Sequence, residues 1–184
     1  MARKIILNLA VSLDGLIEGP KGEYDWCIMD DDMGFDAFLD GLDTVLFGRK
    51  SFELFGSQDP ASFPSEDERI MFERIARLRK VVFSDSPGIS DGQAEQVKRA
   101  DYVERVKQLK EEDGKDIWLF GGASLVRSFI EEGLIDEYHL AVHPVVLGGG
   151  TPLFAQLRER LNLRLKSSRA FRSGVVGLYY ESVK

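Results

Sequence analysis

A chain of 184 residues, 43% hydrophobic and 30% charged, has the length and composition of one folded domain with a sizeable core, which excludes a disordered protein. Its formal net charge of −7 argues against non-specific binding to nucleic acid or anionic membranes, although a local basic patch could still hold a phosphate. The single cysteine, Cys27, excludes an intrachain disulfide and a zinc site built on several thiolates, and it reads as a small apolar residue.

Residues 4–11 form a nearly continuous apolar run, as expected of a central strand buried on both faces. The run is short, broken by Asn8 and followed by Ser12-Leu13-Asp14 without a small-residue cleavage site, so it reads as a first strand and not as a signal peptide. No apolar segment approaches the length needed to span a bilayer, and the expectation is a cytoplasmic protein. The loop 18–29 carries Gly19-Pro20, Gly22 and the pair Asp25-Trp26, and loops of this length often cover sites. The spacing of Phe35, Phe38, Leu39 and Leu42 predicts a helix over 31–42, with Asp30, Asp31 and Asp32 favourably placed at its start.

A second buried strand, 44–47, runs into Gly48-Arg49-Lys50-Ser51, and residues 53–64 read as irregular. Ser65 and Glu68 form a capping-box pattern ahead of a helix that turns Met71, Phe72, Ile75 and Leu78 inward. Strand 80–83 ends in Ser84-Asp85-Ser86. Asp101 and Glu104 repeat the capping pattern before a helix with Val103, Val106 and Leu109 on its apolar stripe.

Strand 117–120 ends in Gly121-Gly122, and Ala123-Ser124 open a helix with Leu125, Val126, Phe129 and Ile130 on one face and Gly133 as its stop. A glycine turn between a buried strand and a helix aims backbone N–H groups and the positive end of the helix dipole at one point, which suits a phosphate; such a turn can equally be only a sharp bend. Strand 139–142 follows. The tail alternates through Leu163, Leu165 and Ser167, turns at Ser173-Gly174 and returns over 175–183 as an antiparallel hairpin. His139 in its strand and His143 in a following loop read as packing or hydrogen-bonding residues. The expected fold is a single α/β domain over residues 1–184, a three-layer sandwich with a mostly parallel central sheet and an antiparallel C-terminal hairpin.

The turns Gly48-Arg49-Lys50-Ser51 and Gly121-Gly122-Ala123-Ser124 each follow a buried strand, so both can lie at the carboxyl edge of the sheet, where α/β proteins bind ligands. Arg49 and Lys50 supply the forked donor and point charge that a 2′-phosphorylated dinucleotide needs, or form a solvated surface pair. Together with Ala10-Val11-Ser12-Leu13-Asp14-Gly15-Leu16-Ile17, Asp25-Trp26 and the run from Phe120 through Leu134-Ile135-Asp136-Glu137 to Pro144-Val145-Val146-Leu147-Gly148-Gly149-Gly150 and Leu153-Phe154, they give a pattern covering nearly the whole chain. This pattern resembles the dihydrofolate reductase superfamily, and within it the stand-alone relatives of the reductase half of the riboflavin-biosynthesis deaminase-reductase.

The resemblance implies an eight-stranded sheet and NADPH as hydride donor to a small heterocyclic, pterin- or pyrimidine-like substrate, as in dihydrofolate reductase and 5-amino-6-(5-phosphoribosylamino)uracil reductase. It implies that Gly48, Arg49, Lys50 and Ser51 hold phosphates together with Gly121, Gly122, Ala123, Ser124 and Leu125. Arg49 would read the 2′-phosphate, Ser84 would lie near the adenosine, and Ala10 and Ile17 would flank the nicotinamide. No metal is required. Trp26, Asp31, Phe35 and Arg79 are the implied substrate contacts, with Asp31, in a segment crowded by Asp30, Asp32 and Asp36, as the acidic group that orients substrate or relays a proton. Each of these acids can equally only decorate a helix start, and Arg79 can equally be a surface charge.

The Thr-Val-Leu-x-Asp-x-Pro pattern that serves the ribose phosphate is replaced here by Gly48-Arg49-Lys50-Ser51-Phe52-Glu53, which departs from the riboflavin substrate. No deaminase domain is read in these residues, so a two-step role would need a separate partner. An alternative is a non-catalytic NADPH-binding module with a degenerate substrate site. A homodimer pairing through Val176, Leu178 and Tyr180 is a further expectation.

Overall fold

A computed structural model describes residues 3–89 and 94–183. In chain order the elements are β1 (Ile5–Ser12), β2 (Leu16–Glu18), α1 (Phe35–Asp40), β3 (Leu42–Gly48), α2 (Arg49–Ser51), α3 (Glu66–Ala76), β4 (Arg79–Phe83), β5 (Glu95–Val97), α4 (Tyr102–Glu111), β6 (Asp116–Gly121), α5 (Ala123–Glu131), β7 (Glu137–His143), β8 (Thr151–Pro152), β9 (Leu163–Ala170) and β10 (Val176–Ser182). Eight strands form one sheet in the order β5-β4-β3-β6-β1-β7-β10-β9, and β2 and β8 pair as a separate ribbon. From β5 to β7 all neighbours are parallel, whereas β10 runs antiparallel to both β7 and β9. The dihydrofolate reductase-like sandwich expected from the sequence is the fold observed.

The parallel strands are apolar along their length because each faces two cores. In β6, Ile117 and Leu119 enter a cluster with Val106 and Leu109 of α4 and Val126 and Phe129 of α5. Trp118 between them enters the opposite cluster, with Leu39 of α1 and Phe72 and Ile75 of α3. This period of two is what strand geometry requires.

Several local expectations differ from the structure. The helix expected over 31–42 is a 3₁₀ turn, Asp31–Met33, followed by the six-residue α1, because Gly34 takes the left-handed conformation at φ 71° and resets the chain direction; Leu42 already belongs to β3. Residues 53–64 are not irregular throughout: Phe52–Gly56 winds as a π-helical turn and Pro60–Ser62 as a 3₁₀ turn. The capping box of Ser65 and Glu68 is present, but Asp101 gives α4 no side-chain cap. His143 is the last residue of β7, not a loop residue. Of the residues expected at a dimer face, Leu178 and Tyr180 are partly buried against the chain's own core, whereas Val176 is exposed. The short strands β5 and β8 carry too few apolar residues to stand out in the sequence.

Candidate functional site

Three strand ends meet at one edge of the sheet. The register pairs Phe47 with Gly121 and Gly48 with Phe83, which brings the turns following β3, β4 and β6 side by side. A Cβ placed on Gly48 would lie 3.5 Å from the Gly121 carbonyl oxygen and 3.7 Å from the Gly122 nitrogen, and one on Gly122 would lie 3.4 Å from Ser51 Oγ. These are ordinary van der Waals separations, so the two turns lie in contact. The Gly121–Gly122 peptide is cis, and Gly122 caps α5 without a side-chain hydrogen bond. The first N–H groups of a helix have no intrahelical partner, so those of α5 can receive an anion at the seam. Arg49 donates to Glu53 (2.6 Å) and to the Pro87 carbonyl (3.0 Å), bridging the β3 and β4 turns. Lys50 donates to Glu18 at 3.1 Å, and Ser84 Oγ accepts the Ser86 N–H at 3.2 Å. These are exposed contacts that an arriving phosphate can replace at small cost.

Beside this edge lies a cavity of about 680 Å³, within the usual range for small-molecule sites. Its floor comes from β1, β6, β7 and β10, and its walls come from α1, α3, Phe55, Phe63 and the loop from Tyr24 to Met29. The central strand β1 is buried at both ends, but Asn8, Leu9 and Ala10 are only half-buried, and these three line the cavity. Across the floor Asn8 pairs with His139 of β7, and His139 pairs with Tyr179 of β10. A row of three polar side chains therefore crosses an otherwise apolar surface. Around it, Trp118 packs edge-on to Phe35 (5.7 Å) and Phe38 (5.5 Å), and its indole N–H donates to the Asn8 carbonyl at 2.9 Å.

The charges behind this floor fix its protonation. Glu137 accepts from Lys4 and Lys166, each at 2.8 Å, and lies 3.0 Å from His139 Nε2. Burial pushes the Glu137 carboxyl up, but hydrogen bonds from Lys166, Lys4 and His139 outweigh it and hold it at about 2. Burial lowers the pKa of His139 from its ordinary 6.5, with Glu137 pulling the other way. His139 is thus neutral at pH 7, with its proton on Nε2 toward Glu137 and Nδ1 left as an acceptor. Burial pushes the Cys27 thiol up to about 11, so it stays protonated and unreactive.

A family model described as RibD C-terminal domain matches residues 3–177. The chain belongs to the RibD C-terminal domain family. Among curated proteins it is 49% identical over 178 residues to Bacillus subtilis (strain 168) uncharacterized protein YyaP, covering 97% of this chain and 94% of the relative. It is 38% identical over 182 residues to uncharacterized protein YwjB of the same organism, covering 95% and 96%. Among solved structures, a Shewanella sp. PV-4 protein whose name places it in riboflavin biosynthesis matches with TM-score 0.76 at 25% identity, covering both chains fully. Enterococcus faecalis dihydrofolate reductase, complexed with NADP(H) and RAB-propyl, matches with TM-score 0.68 at 12% identity over 100% of both chains, which shows a shared fold.

In this member of the RibD C-terminal domain family, the structure brings Gly48, Arg49, Lys50, Ser51, Ser84 and the 121–125 turn to one edge, and Ala10 and Phe35 to the cavity beside it. Ile17 packs against the core cluster on β2. Three residues expected at the substrate lie elsewhere. Trp26 does not line the cavity itself but packs edge-on, at 5.3 Å, against His143, which does. Asp31 is exposed and does not line the cavity, because the break at Gly34 turns the acidic segment outward. Of its neighbours, Asp30 accepts the Ser173 N–H and Asp36 pairs with Arg74 on the surface. Asp32 lies 3.7 Å from Arg172 through one carboxylate oxygen, while the other is buried without a hydrogen-bond partner among the described residues. Arg79 begins β4 at the opposite, amino end of the sheet and pairs with Glu95 and Glu112. The sequence reading missed the floor row. The signal was present: Asn8 and His139 are polar residues inside strands that are otherwise buried.

Proposed function

We propose that this protein is an NADPH-dependent reductase of a small heterocyclic substrate, with the cofactor seated along the three-turn edge and the substrate in the adjoining cavity. The observation that carries this reading is adjacency through β6: the β3, β4 and β6 turns meet at one sheet edge, and Phe120, the residue just before Gly121-Gly122, lines the cavity. NADPH, when bound, supplies the hydride. The chain's own residues do the positioning. The α5 N-terminus and Ser51 suit the pyrophosphate, Arg49 suits a 2′-phosphate through its planar fork, and Lys50 adds a point charge. The aromatic walls exclude water from the substrate and hold its ring in place against the floor. The Enterococcus enzyme's NADP(H) complex supports the cofactor, and the family's riboflavin-biosynthesis relatives support a heterocyclic substrate.

Titration of the purified protein with NADPH and with NADH, followed by NADPH oxidation over a panel of C=N heterocycles, tests the reading. NADPH preference with turnover of one substrate is the expected result. A second reading, a NADPH-binding module that turns nothing over, is favoured by the outward position of Asp31, which leaves no acid of that segment in the cavity. Tight NADPH binding with flat traces across the panel would select it.

A further inference from the structure

Resting on the reading of the cavity as the substrate site, we infer that it takes an uncharged, planar aromatic heterocycle carrying no phosphate, held by its polar edge on the row Asn8–His139–Tyr179. Among the described residues no lysine or arginine lines the cavity. Its carboxylates are Asp25 and Glu68, and Glu68 is already engaged with the N–H and hydroxyl of Ser65. A phosphate ester carries close to two negative charges at neutral pH. Enclosing it between aromatic walls with no lysine or arginine in the lining would be unfavourable, since buried charge needs a paired partner. Lys4 and Lys166 are held by Glu137, and Arg169 lies over the ring of Phe171, 5.2 Å from its centroid.

The floor offers matched hydrogen-bonding groups in place of charge. The Asn8 carboxamide supplies both a donor and an acceptor, neutral His139 an acceptor at Nδ1, and Tyr179 a hydroxyl that can do either. Neighbouring strands stand about 4.8 Å apart, so the row spans roughly the width of a bicyclic ring. Amide-like and amidine-like edges of pterins, pyrimidinediones and flavin-type rings carry alternating donors and acceptors at comparable spacing. Trp118, Phe35 and Phe38 supply ring faces and edges for the flat body of such a ligand.

The test is equilibrium binding to the full chain without cofactor, read by quenching of tryptophan fluorescence and by calorimetry. Probes are lumazine and the matched pair riboflavin and riboflavin 5′-phosphate. The expected result is binding of lumazine or riboflavin, at least tenfold weaker binding of the phosphorylated partner, and about a fivefold loss in each of Asn8→Ala and Tyr179→Phe. Tyr179→Phe keeps the ring, so circular dichroism and melting identical to the parent will separate lost recognition from lost folding. Equal or tighter binding of the phosphorylated probe overturns the inference, as does failure of all three probes to bind. Binding of the neutral probes by a protein that neither binds nor oxidises NADPH leaves the inference standing and removes the reductase reading. Turnover restricted to phosphorylated substrates does the reverse.

Discussion

The carboxylate of Asp14 accepts the backbone N–H of Gly148 at 2.8 Å, joining the turn after β1 to the triple-glycine loop across 134 positions of chain. It also accepts the Leu147 N–H at 3.1 Å and the Ser12 hydroxyl at 2.7 Å. The Ser12 hydroxyl and the Gly148 N–H together lower its pKa to about 2, so it is ionised at neutral pH. The two most recognisable sequence motifs are thereby parts of one clasp.

Asp14→Ala is expected to release that clasp without unfolding the sheet. Amide hydrogen exchange should speed up at Leu147 and Gly148 while the strands of the central sheet keep their protection. Uniformly accelerated exchange would show that Asp14 supports the whole fold instead.

Gly150 sits at φ 139°, and a Cβ there would come within 2.0 Å of the Glu18 carbonyl oxygen on the β2 side. Gly150→Ala should therefore cost more than about 2 kcal/mol in urea unfolding, through both backbone strain and a backbone clash. A melting temperature unchanged from the parent would contradict the close packing of the β2–β8 ribbon against this loop.

Glu137 has a folded-state pKa near 2 against an ordinary 4.5, so between these values the folded chain binds fewer protons than the unfolded one. The stabilisation is complete above pH 4.5 and is lost as pH falls through about 2. Melting temperatures measured across that range should drop less steeply in Glu137→Gln than in the parent. Parallel profiles would mean that the Lys4–Glu137–Lys166 cluster does not contribute to acid sensitivity.

Arg3 is buried at the amino end of the sheet, where it donates to the carbonyls of Lys115 and Leu109, to Thr44 Oγ1 and to Asp43. Arg3→Met should destabilise by about 2–3 kcal/mol, because the acceptors lose charged donors inside the fold. Cofactor binding at the far edge should be unaffected, and a matching loss of NADPH affinity would argue against separate roles for the two ends.

Arg49→Ala is expected to remove most of the preference for NADPH over NADH, about tenfold or more, since one charge-assisted hydrogen bond to a phosphate is worth about 1.5–3 kcal/mol. Its partners Glu53 and Pro87 are exposed, so stability should change little. Fluorescence titration with both nucleotides reads the ratio, and an unchanged ratio would move the 2′-phosphate to another group.

The sequence by itself determined the layers and the seam. Short apolar runs such as 117–120, each closed by glycine, read as strands covered on both faces, and glycines at 48 and 121–122 mark the ends of two of them. The C-terminal hairpin was legible for the same reason, from alternation and a Ser173-Gly174 turn. Only the tertiary structure decided what faces the cavity. A left-handed residue at Gly34 turned the acidic segment outward, and Arg79 was carried to the opposite end of the sheet by the direction of β4. Asn8, His139 and Tyr179 lie far apart in the chain and become neighbours solely through parallel and antiparallel register. Local periodicity reports whether a residue is covered. It carries no information about which strand lies beside it, and a binding floor is made of that adjacency.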